Sequence, residues 1–159
     1  MTENTPPDIA ARLKDLGITL PRAASPLASY VPVVRTGNLL FISGQLSANE
    51  DGLITGTLGR DITLDTARTG ARNAALSILA HIEQTAGVPL DRVSRFVKLS
   101  IFVASAPDFH EHHLVANGAS DIIAEIFGDR GKHARAAFGV AALPLGAAVE
   151  IEAVVEIAP

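Results

Sequence analysis

Apolar and polar residues recur along the chain with two different periods, and each period predicts a type of element. Between residues 65 and 86 the apolar residues return every three to four positions, as Ala67, Ala71, Ala74, Ala75, Ile78, Leu79 and Ile82. This spacing predicts a long helix, with Thr63 as its N-cap and Gly87 just after its end.

The same helical spacing occurs in two other places. A second long helix is predicted to open at Ser105, Pro107 and Asp108 and to close at Gly128, with Leu114, Val115, Ala119, Ile122, Ile123 and Ile126 among its apolar residues. A short N-terminal helix is predicted from the start signals Thr5, Pro6 and Asp8, the apolar residues Ile9, Leu13 and Leu16, and the stop at Gly17.

Strands are predicted where apolar and polar residues alternate. Residues 93–104 carry Val97, Leu99, Ile101 and Val103 on one face and Lys98 and Ser100 on the other. Residues 147–157 separate the apolar positions from Glu150, Glu152 and Glu156, so these carboxylates share a face.

Turn residues predict how the other strands are joined. Residues 31–34 and 39–43 flank a Thr-Gly-Asn turn and are expected to form a hairpin. Residues 135–142 and 147–157 flank the turn Leu143-Pro144-Leu145-Gly146, so a second hairpin is expected there. A short strand is predicted at residues 53–55, and the glycines around it are interpreted as turns.

This order of elements predicts an α+β fold, in which two helices cover one face of a sheet. The other face would then expose the apolar side chains of strands that carry little charge. Because large exposed apolar patches mark interfaces, self-association is expected.

Composition narrows the class of protein. The 159 residues are 48% hydrophobic and 19% charged, which is typical of one globular domain. The absence of cysteine excludes disulfides, a thiolate nucleophile and thiolate-bound metals. The net charge of -4, with no Lys/Arg run, argues against nucleic acid as a partner. Neither a secretory signal nor about 18 continuous apolar residues is visible, so a cytoplasmic protein without a membrane partner is expected.

Few residues suggest a particular chemistry. No nucleophile elbow, phosphate-binding loop or dinucleotide-binding glycine pattern occurs. His110, His112 and His113 form a cluster, but only His110 and His113 could share a helical face, so a solvated helix start is favoured over a metal site. Arg135 could clamp a carboxylate and Glu150 could orient or deprotonate water, which would suit hydrolysis of an anionic substrate. A surface arginine and a solvated glutamate stripe are the alternative interpretation.

Two segments resemble the signatures of a known family. GNLLFISGQ at residues 37–45 and ARAAFGVAALPLGAAVEIEAVV at 134–155 are similar to those of the Rid, or YjgF-like, proteins, and the resemblance covers roughly residues 25–157. It extends to DRVSRFVKLSIFVASAPDF at residues 91–109. The chain is most similar to the longer subgroup, with residues 1–24 as an N-terminal helix and loop extension and 25–159 as the Rid-like domain.

The resemblance implies a fold, an assembly and an activity. The fold is a chorismate-mutase-like mixed sheet with two helices on one face, assembled as a homotrimer with clefts between subunits. The implied activity is cofactor-independent hydrolysis of enamines and imines, such as 2-aminoacrylate and 2-iminopropanoate, to a 2-keto acid and ammonia, without a metal. A trimeric module that binds or protects metabolites without turnover is the alternative, and ribonuclease activity is a third.

The resemblance also assigns roles to individual residues. Arg135 matches the arginine that binds the substrate carboxylate, and Glu150 matches the acidic residue that positions water. Substrate-binding roles are implied for Tyr30, Ser43, Gly44, Asn117 and Ala137. Ala137 departs from the polar residue of many deaminating members, so only its backbone N–H can serve a ligand. The insertion at residues 49–60 is expected to affect the mouth of the cleft.

Overall fold

The computed structural model describes residues 8–26 and 28–159, which form a five-stranded mixed sheet with helices against one face. The helices are α1 (Ile9–Asp15), α2 (Leu64–Ala80) and α3 (His112–Phe127). The strands are β1 (Val33–Thr36), β2 (Leu39–Leu46), β3 (Ala48–Asn49), β4 (Gly52–Leu53), β5 (Val93–Ala104), β6 (Ala134–Val140) and β7 (Val149–Ile157), of which β3 and β4 pair separately. A π-helical turn at His81–Thr85 extends α2, and 3-10 turns lie at Leu90–Arg92, Gly128–Gly131 and Pro144–Gly146.

The predicted boundaries of α1 and α2 are confirmed by their caps. The Asp8 carboxylate accepts a hydrogen bond from the Ala11 N–H at 3.0 Å, and the Thr63 hydroxyl accepts one from the Thr66 N–H at 3.2 Å. Gly17 and Gly87, both at φ +67°, follow these helices in the left-handed conformation that glycine favours. The predicted start signals Thr5 and Pro6 lie outside the described residues.

The start of α3 is later than the sequence predicts. Its first residue is His112, whereas the start signals lie at residues 105–108. The reason is that the backbone there is already engaged by Leu58, whose N–H donates to Ala104 O and whose carbonyl accepts from Ala106 N–H, both at 2.8 Å. These bonds prolong the strand conformation and delay the helix.

The order of the sheet corrects one prediction. The strands lie in the order β1-β2-β7-β5-β6, with β5 and β6 parallel and the other pairs antiparallel. The β1–β2 hairpin is confirmed, but the hairpin predicted between residues 135–142 and 147–157 is wrong. Instead, α3 connects β5 to a parallel β6, and β7 lies between β2 and β5. The central place suits β7, whose apolar face is buried along its length, whereas β6 has no buried residue.

The core lies between the sheet and the long helices α2 and α3. In β5 the predicted alternation is shifted by an irregularity between Phe96 and Lys98. Phe96 and Leu99 are therefore both fully buried, and Val97 is only half-buried, although it was predicted to lie on the core face. Leu99, Ile101 and Val103 are buried as predicted, so the sheet is covered on the helical side as the α+β prediction requires.

The opposite face, which we call the open face, carries no helix of the described residues. It exposes Val34, Phe41 and Phe138, whose exposed fractions are 52%, 46% and 47%. Phe102 and Phe138 form an edge-to-face aromatic pair with centroids 5.3 Å apart. Glu150 and Glu152 point to this face, as the alternation predicts. The open face is thus an apolar surface with a row of carboxylates.

Candidate functional site

Arg135 lies on the edge strand β6, on the side that faces α3. One guanidinium nitrogen, Nη1, donates to the Asn117 side-chain oxygen at 2.8 Å and to the Ser120 hydroxyl at 3.2 Å, and Nη2 reaches the His113 carbonyl at 3.5 Å. Among the described residues no carboxylate lies within ion-pair distance of Arg135. The guanidinium is therefore oriented by uncharged oxygens and keeps its charge for an anion.

A second row of hydrogen bonds fixes Ser120 beneath Arg135. His133 Nδ1 lies 2.6 Å from the Gly131 carbonyl, which can only accept, so this nitrogen carries the proton. In neutral His133 the other nitrogen, Nε2, must then accept from the Ser120 hydroxyl, 2.9 Å away. The remaining lone pairs of Ser120 are thereby left for Arg135, which explains the direction of the guanidinium.

Glu150 lies on the open face, at the middle of the sheet. It pairs in register with Phe102 of β5 and Leu46 of β2. Burial first, and then the nearby charge of Glu152, raise the pKa of the Glu150 carboxyl. A carboxylate with a raised pKa is a better proton acceptor than an ordinary one, which suits a general base.

Gly44 allows Glu150 to occupy this position. A Cβ atom at Gly44 would lie 2.0 Å from Glu150 Oε1 and 2.8 Å from its Cδ. Pairing between β2 and β7 is irregular between Ile42 and Gln45, which brings the glycine backbone against the carboxylate. The close approach of the Glu150 carboxylate therefore explains why a glycine stands at position 44, whereas its predicted role in substrate binding stays a prediction.

Tyr30 and Ser43 line a groove on the open face, in which the carboxylate is that of Glu152, two residues beyond Glu150 on β7. The groove has a volume of about 460 Å³ and is also lined by Phe41, Lys98 and Glu152. The Ser43 N–H donates to the Pro32 carbonyl at 2.9 Å, which fixes the segment after Tyr30 against β2. Tyr30 is 49% exposed, so its ring is accessible from solvent.

Within one chain the predicted site residues form two separate groups, one on each face of the sheet. Arg135 and Asn117 meet on the helical side of the sheet, and Ala137 lies two residues further along β6. Glu150 belongs to the open face, as do Gly44, Ser43 and Tyr30. Glu150 of β7 pairs with Phe102 of β5, and Phe102 pairs with Phe138 of β6. Phe138 lies three residues beyond Arg135. Within one chain Arg135 and Glu150 therefore lie on opposite faces of the sheet.

Sequence reasoning missed Ser120 and the pair formed by Ser105 and His112, whose Oγ and Nε2 are 2.9 Å apart. Ser120 could have been found, because it follows Asn117 by three residues and so shares its helical face. His112 could not, since its partner is fixed by the delayed start of α3. Among the described residues no three His, Cys, Asp or Glu side chains come together as metal ligands.

Comparison with known proteins places this geometry in a family. A family model described as Endoribonuclease L-PSP matches residues 21–157, most of the chain. The chain belongs to this family, the Rid or YjgF-like proteins. Membership accounts for the chorismate-mutase-like α+β fold. No helix in residues 8–26 and 28–159 is long and apolar enough to cross a bilayer.

Individual relatives cover nearly the whole length of this Rid protein. It is 49% identical over 151 residues to Protein TCP17 of Trypanosoma cruzi, with 94% of each chain covered. It is 30% identical over 142 residues to the 2-iminobutanoate/2-iminopropanoate deaminase of Dermatophagoides farinae, covering 88% of this chain and 94% of the relative. The crystal structure of Atu1372 from Agrobacterium tumefaciens superposes with a TM-score of 0.85 at 47% identity and 94% coverage of both chains.

Proposed function

We propose that this Rid protein hydrolyses reactive enamine and imine intermediates of the 2-aminoacrylate and 2-iminopropanoate type to a 2-keto acid and ammonia. The observation that carries the proposal is the Arg135 guanidinium, which is held by the Asn117, Ser120 and His113 oxygens and has no carboxylate partner among residues 8–26 and 28–159. A planar guanidinium in this state is suited to bind a substrate carboxylate. The similarity to a protein named as an imine deaminase supports the same conclusion.

The proposed reaction requires mainly that the substrate and a water molecule are held in the right positions. With the carboxylate on Arg135, a water held by Glu150 adds to the C=N carbon, and Glu150 accepts its proton. The nitrogen is then protonated, the C–N bond breaks, and ammonia leaves as the C=O bond forms. The raised pKa of Glu150 suits this proton transfer, and no cofactor is required.

The remaining site residues have positioning or lining roles in this proposal. Asn117 positions Arg135, and Gly44 makes room for the Glu150 carboxylate. Tyr30 and Ser43 line the groove of the open face that contains Glu152. Ala137 offers only its backbone N–H, on an edge strand that presents unpaired backbone groups.

The site is proposed to lie between subunits of a homotrimer. Arg135 faces α3 and Glu150 faces the open face, so a cleft that contains both needs Arg135 from one copy and Glu150 from the next. The exposed Phe41 and Phe138 supply the apolar surface that such an assembly would bury.

The first test is capture of imines with semicarbazide, while an amino-acid oxidase releases them from alanine. Native protein should suppress semicarbazone formation, and Arg135→Ala should not, because the carboxylate loses its partner. Arg22→Ala is the matched control, since Arg22 is exposed and belongs to neither group of predicted site residues, and it should behave as native. If native protein fails to suppress the semicarbazone for several amino acids, the deaminase proposal is overturned.

The second test asks whether the two charges come from different copies. Arg135→Ala and Glu150→Gln chains are unfolded, mixed in equal amounts and refolded together. In a cyclic trimer about a quarter of the clefts should regain both native residues by chance, and with them activity. Mixtures that remain inactive would contradict an intersubunit site, provided that refolded native protein is active.

Ribonuclease activity is the second candidate, because the matching family model carries that description. The net charge of -4 and the single tyrosine disfavour it, since RNA binding relies on cations and stacking platforms. Binding of a metabolite without turnover is the other outcome that the semicarbazide test would reveal.

A further inference from the structure

The imidazole of His133 is fixed by the turn that precedes β6. Its Nδ1 atom lies 2.6 Å from the carbonyl oxygen of Gly131, two residues earlier in the chain. Gly131 is itself buried against α3, since a Cβ atom there would lie 2.6 Å from the Ile123 carbonyl oxygen and 3.2 Å from Ala124 Cα. A side chain would prevent this approach, so the glycine allows the turn to hold the imidazole at a set position beside the helix.

This position determines where the proton of the Ser120 hydroxyl points. Because Nδ1 of neutral His133 carries the proton, Nε2 is an acceptor, and it lies 2.9 Å from Ser120 Oγ. A hydroxyl has a single proton, so Ser120 donates it to His133 and presents only lone pairs to Arg135, 3.2 Å away. Without the imidazole the hydroxyl could rotate and turn its proton toward the guanidinium, which cannot accept it.

The acceptors around Arg135 leave two of its donors unused. A guanidinium has five N–H groups. Both groups of Nη1 are directed to Asn117 and Ser120, and one group of Nη2 is directed to the His113 carbonyl. The Nε–H and the second Nη2–H have no acceptor in the described part of the chain, and Arg135 is exposed. Two N–H groups on neighbouring nitrogens are what a carboxylate needs for a bidentate contact.

The hydrogen bonds that lead from His133 to Arg135 cross the contact between α3 and β6. Asn117 and Ser120 are three residues apart on α3 and share one face of the helix. His133 and Arg135, two residues apart at the entry to β6, both reach the Ser120 hydroxyl and so lie on the same side of the strand. The imidazole therefore acts on Arg135 through Ser120. A simple role in holding the helix to the strand is the alternative, and it has no consequence for substrate binding.

We infer that Ser120 and His133 are positioning residues of the proposed reaction, which set the direction of the Arg135 guanidinium and thereby its affinity for the substrate carboxylate. The inference rests on the proposed function, in which that carboxylate binds Arg135. Loss of either residue leaves the charge in place but lets the plane of the guanidinium turn. Because the carboxylate is held in the same way before and during hydrolysis, the effect falls on KM and not on kcat.

The test varies the imine level in the semicarbazide assay through the amount of oxidase, which separates KM from kcat. Ser120→Ala and His133→Asn should each raise KM about fivefold, the scale of one neutral hydrogen bond, and change kcat by less than about twofold. The double variant should be no worse than Ser120→Ala alone, because both changes interrupt the same chain of hydrogen bonds. Ser94→Ala, at an exposed position of β5, is the control and should behave as native protein.

Two substitutions of the same histidine distinguish positioning from structural support. In His133→Gln the side-chain oxygen lies close to the place of Nε2 and can accept from Ser120, whereas the shorter side chain of His133→Asn cannot reach it. His133→Gln should therefore restore a KM near that of native protein. Thermal unfolding of the two variants should be similar, since each loses one of the two hydrogen bonds of the imidazole.

Three results would overturn the inference: an unchanged KM in His133→Asn, an equal rise of KM in His133→Gln, or a further rise in the double variant. If native protein hydrolyses no imine, the proposed function fails, and calorimetry with pyruvate tests the positioning role separately. Pyruvate should then bind about fivefold more weakly to His133→Asn than to native protein and His133→Gln. Equal binding to all three proteins, or no binding, would overturn the positioning role as well.

Discussion

The ionised Glu150 carboxylate is held in the folded chain at a cost in free energy. Burial raises the pKa of the Glu150 carboxyl, so the folded state holds its proton more tightly than the unfolded state does. The free energy of unfolding must therefore fall as the pH rises from the ordinary value of 4.5 through the raised one. At neutral pH this carboxylate destabilises the fold.

Replacement of Glu150 by glutamine should separate stability from activity. Glu150→Gln removes the buried charge, so the protein should gain on the order of 0.5 kcal/mol at pH 7, after allowance for the group's partial exposure, and lose imine hydrolysis. Thermal unfolding at pH 4 and pH 7 measures the gain, which should shrink at the lower pH. Glu50→Gln, at an exposed position between β3 and β4, is the control. A loss of stability at pH 7 in Glu150→Gln would contradict the assignment.

Gly44 offers a way to move Glu150 without replacing it. The contact that a Cβ atom would make is with the end of a flexible side chain, and the backbone at Gly44 does not require glycine. Gly44→Ala should therefore shift the carboxylate, lower the rate of hydrolysis by about tenfold or more, and change the unfolding temperature little. In a Glu150→Ala background the same change should have no further effect. A large loss of stability there would show that the backbone, and not the carboxylate, is crowded.

At single residues, the resemblance predicted Arg135, Glu150 and Asn117 as site residues, since each matches a position of the family. It did not predict the hydrogen bonds that orient Arg135. The Ser120–His133–Gly131 hydrogen bonds could not be predicted, because they depend on how α3 lies over β6. Contacts between elements follow from packing, which the local pattern does not contain.

At the scale of elements, the close contact between α2 and α3 depends on Gly118. A Cβ atom at Gly118 would lie 2.1 Å from the Arg68 carbonyl oxygen, a backbone atom that cannot rotate away. Alanine normally stabilises a helix interior relative to glycine by about 0.5–1 kcal/mol. In this helix the packing term should outweigh that preference.

Gly118→Ala should thus destabilise the protein by about 3 kcal/mol, as overpacked sites do. Urea unfolding followed by circular dichroism measures the difference. Ala124→Gly, at an exposed position of α3, reports the helix preference alone and should cost about 1 kcal/mol. If Gly118→Ala proves stabilising, the two helices can separate without cost, and the packing argument fails.

The order of the strands in the sheet could not be predicted from the local pattern of apolar and polar residues. The spacing of apolar residues located α2, β5 and β7 well, because an element that buries one face repeats apolar residues at a regular interval. The hairpin predicted across residues 143–146 is wrong because turn residues show where the chain reverses but not which strands become neighbours. Leu145, at φ +58°, lies in a 3-10 turn instead, and the connection carries the chain past β5 to the centre of the sheet. Which strand is central depends on total burial, a property of the whole sheet.

At the scale of the molecule, the sequence predicted an uncovered apolar face, and the structure has one. What the sequence could not reveal is that Arg135 and Glu150 lie on opposite sides of the sheet. Because of this separation, the proposed hydrolysis requires that several chains assemble. The assembly would also cover the apolar open face. A change that breaks the assembly should therefore abolish activity without touching either charged residue.

The double variant Phe41→Glu and Phe138→Glu tests this condition. Both rings are nearly half exposed, so their loss should leave the core intact, while two added charges oppose burial of the open face. Light scattering should give the mass of a trimer for native protein and of a single chain for the variant, with imine hydrolysis lost. Ala11→Glu, at an exposed position of α1 and away from the open face, should stay trimeric and active. A variant that is monomeric yet active would mean that one chain suffices, and the intersubunit cleft would have to be abandoned.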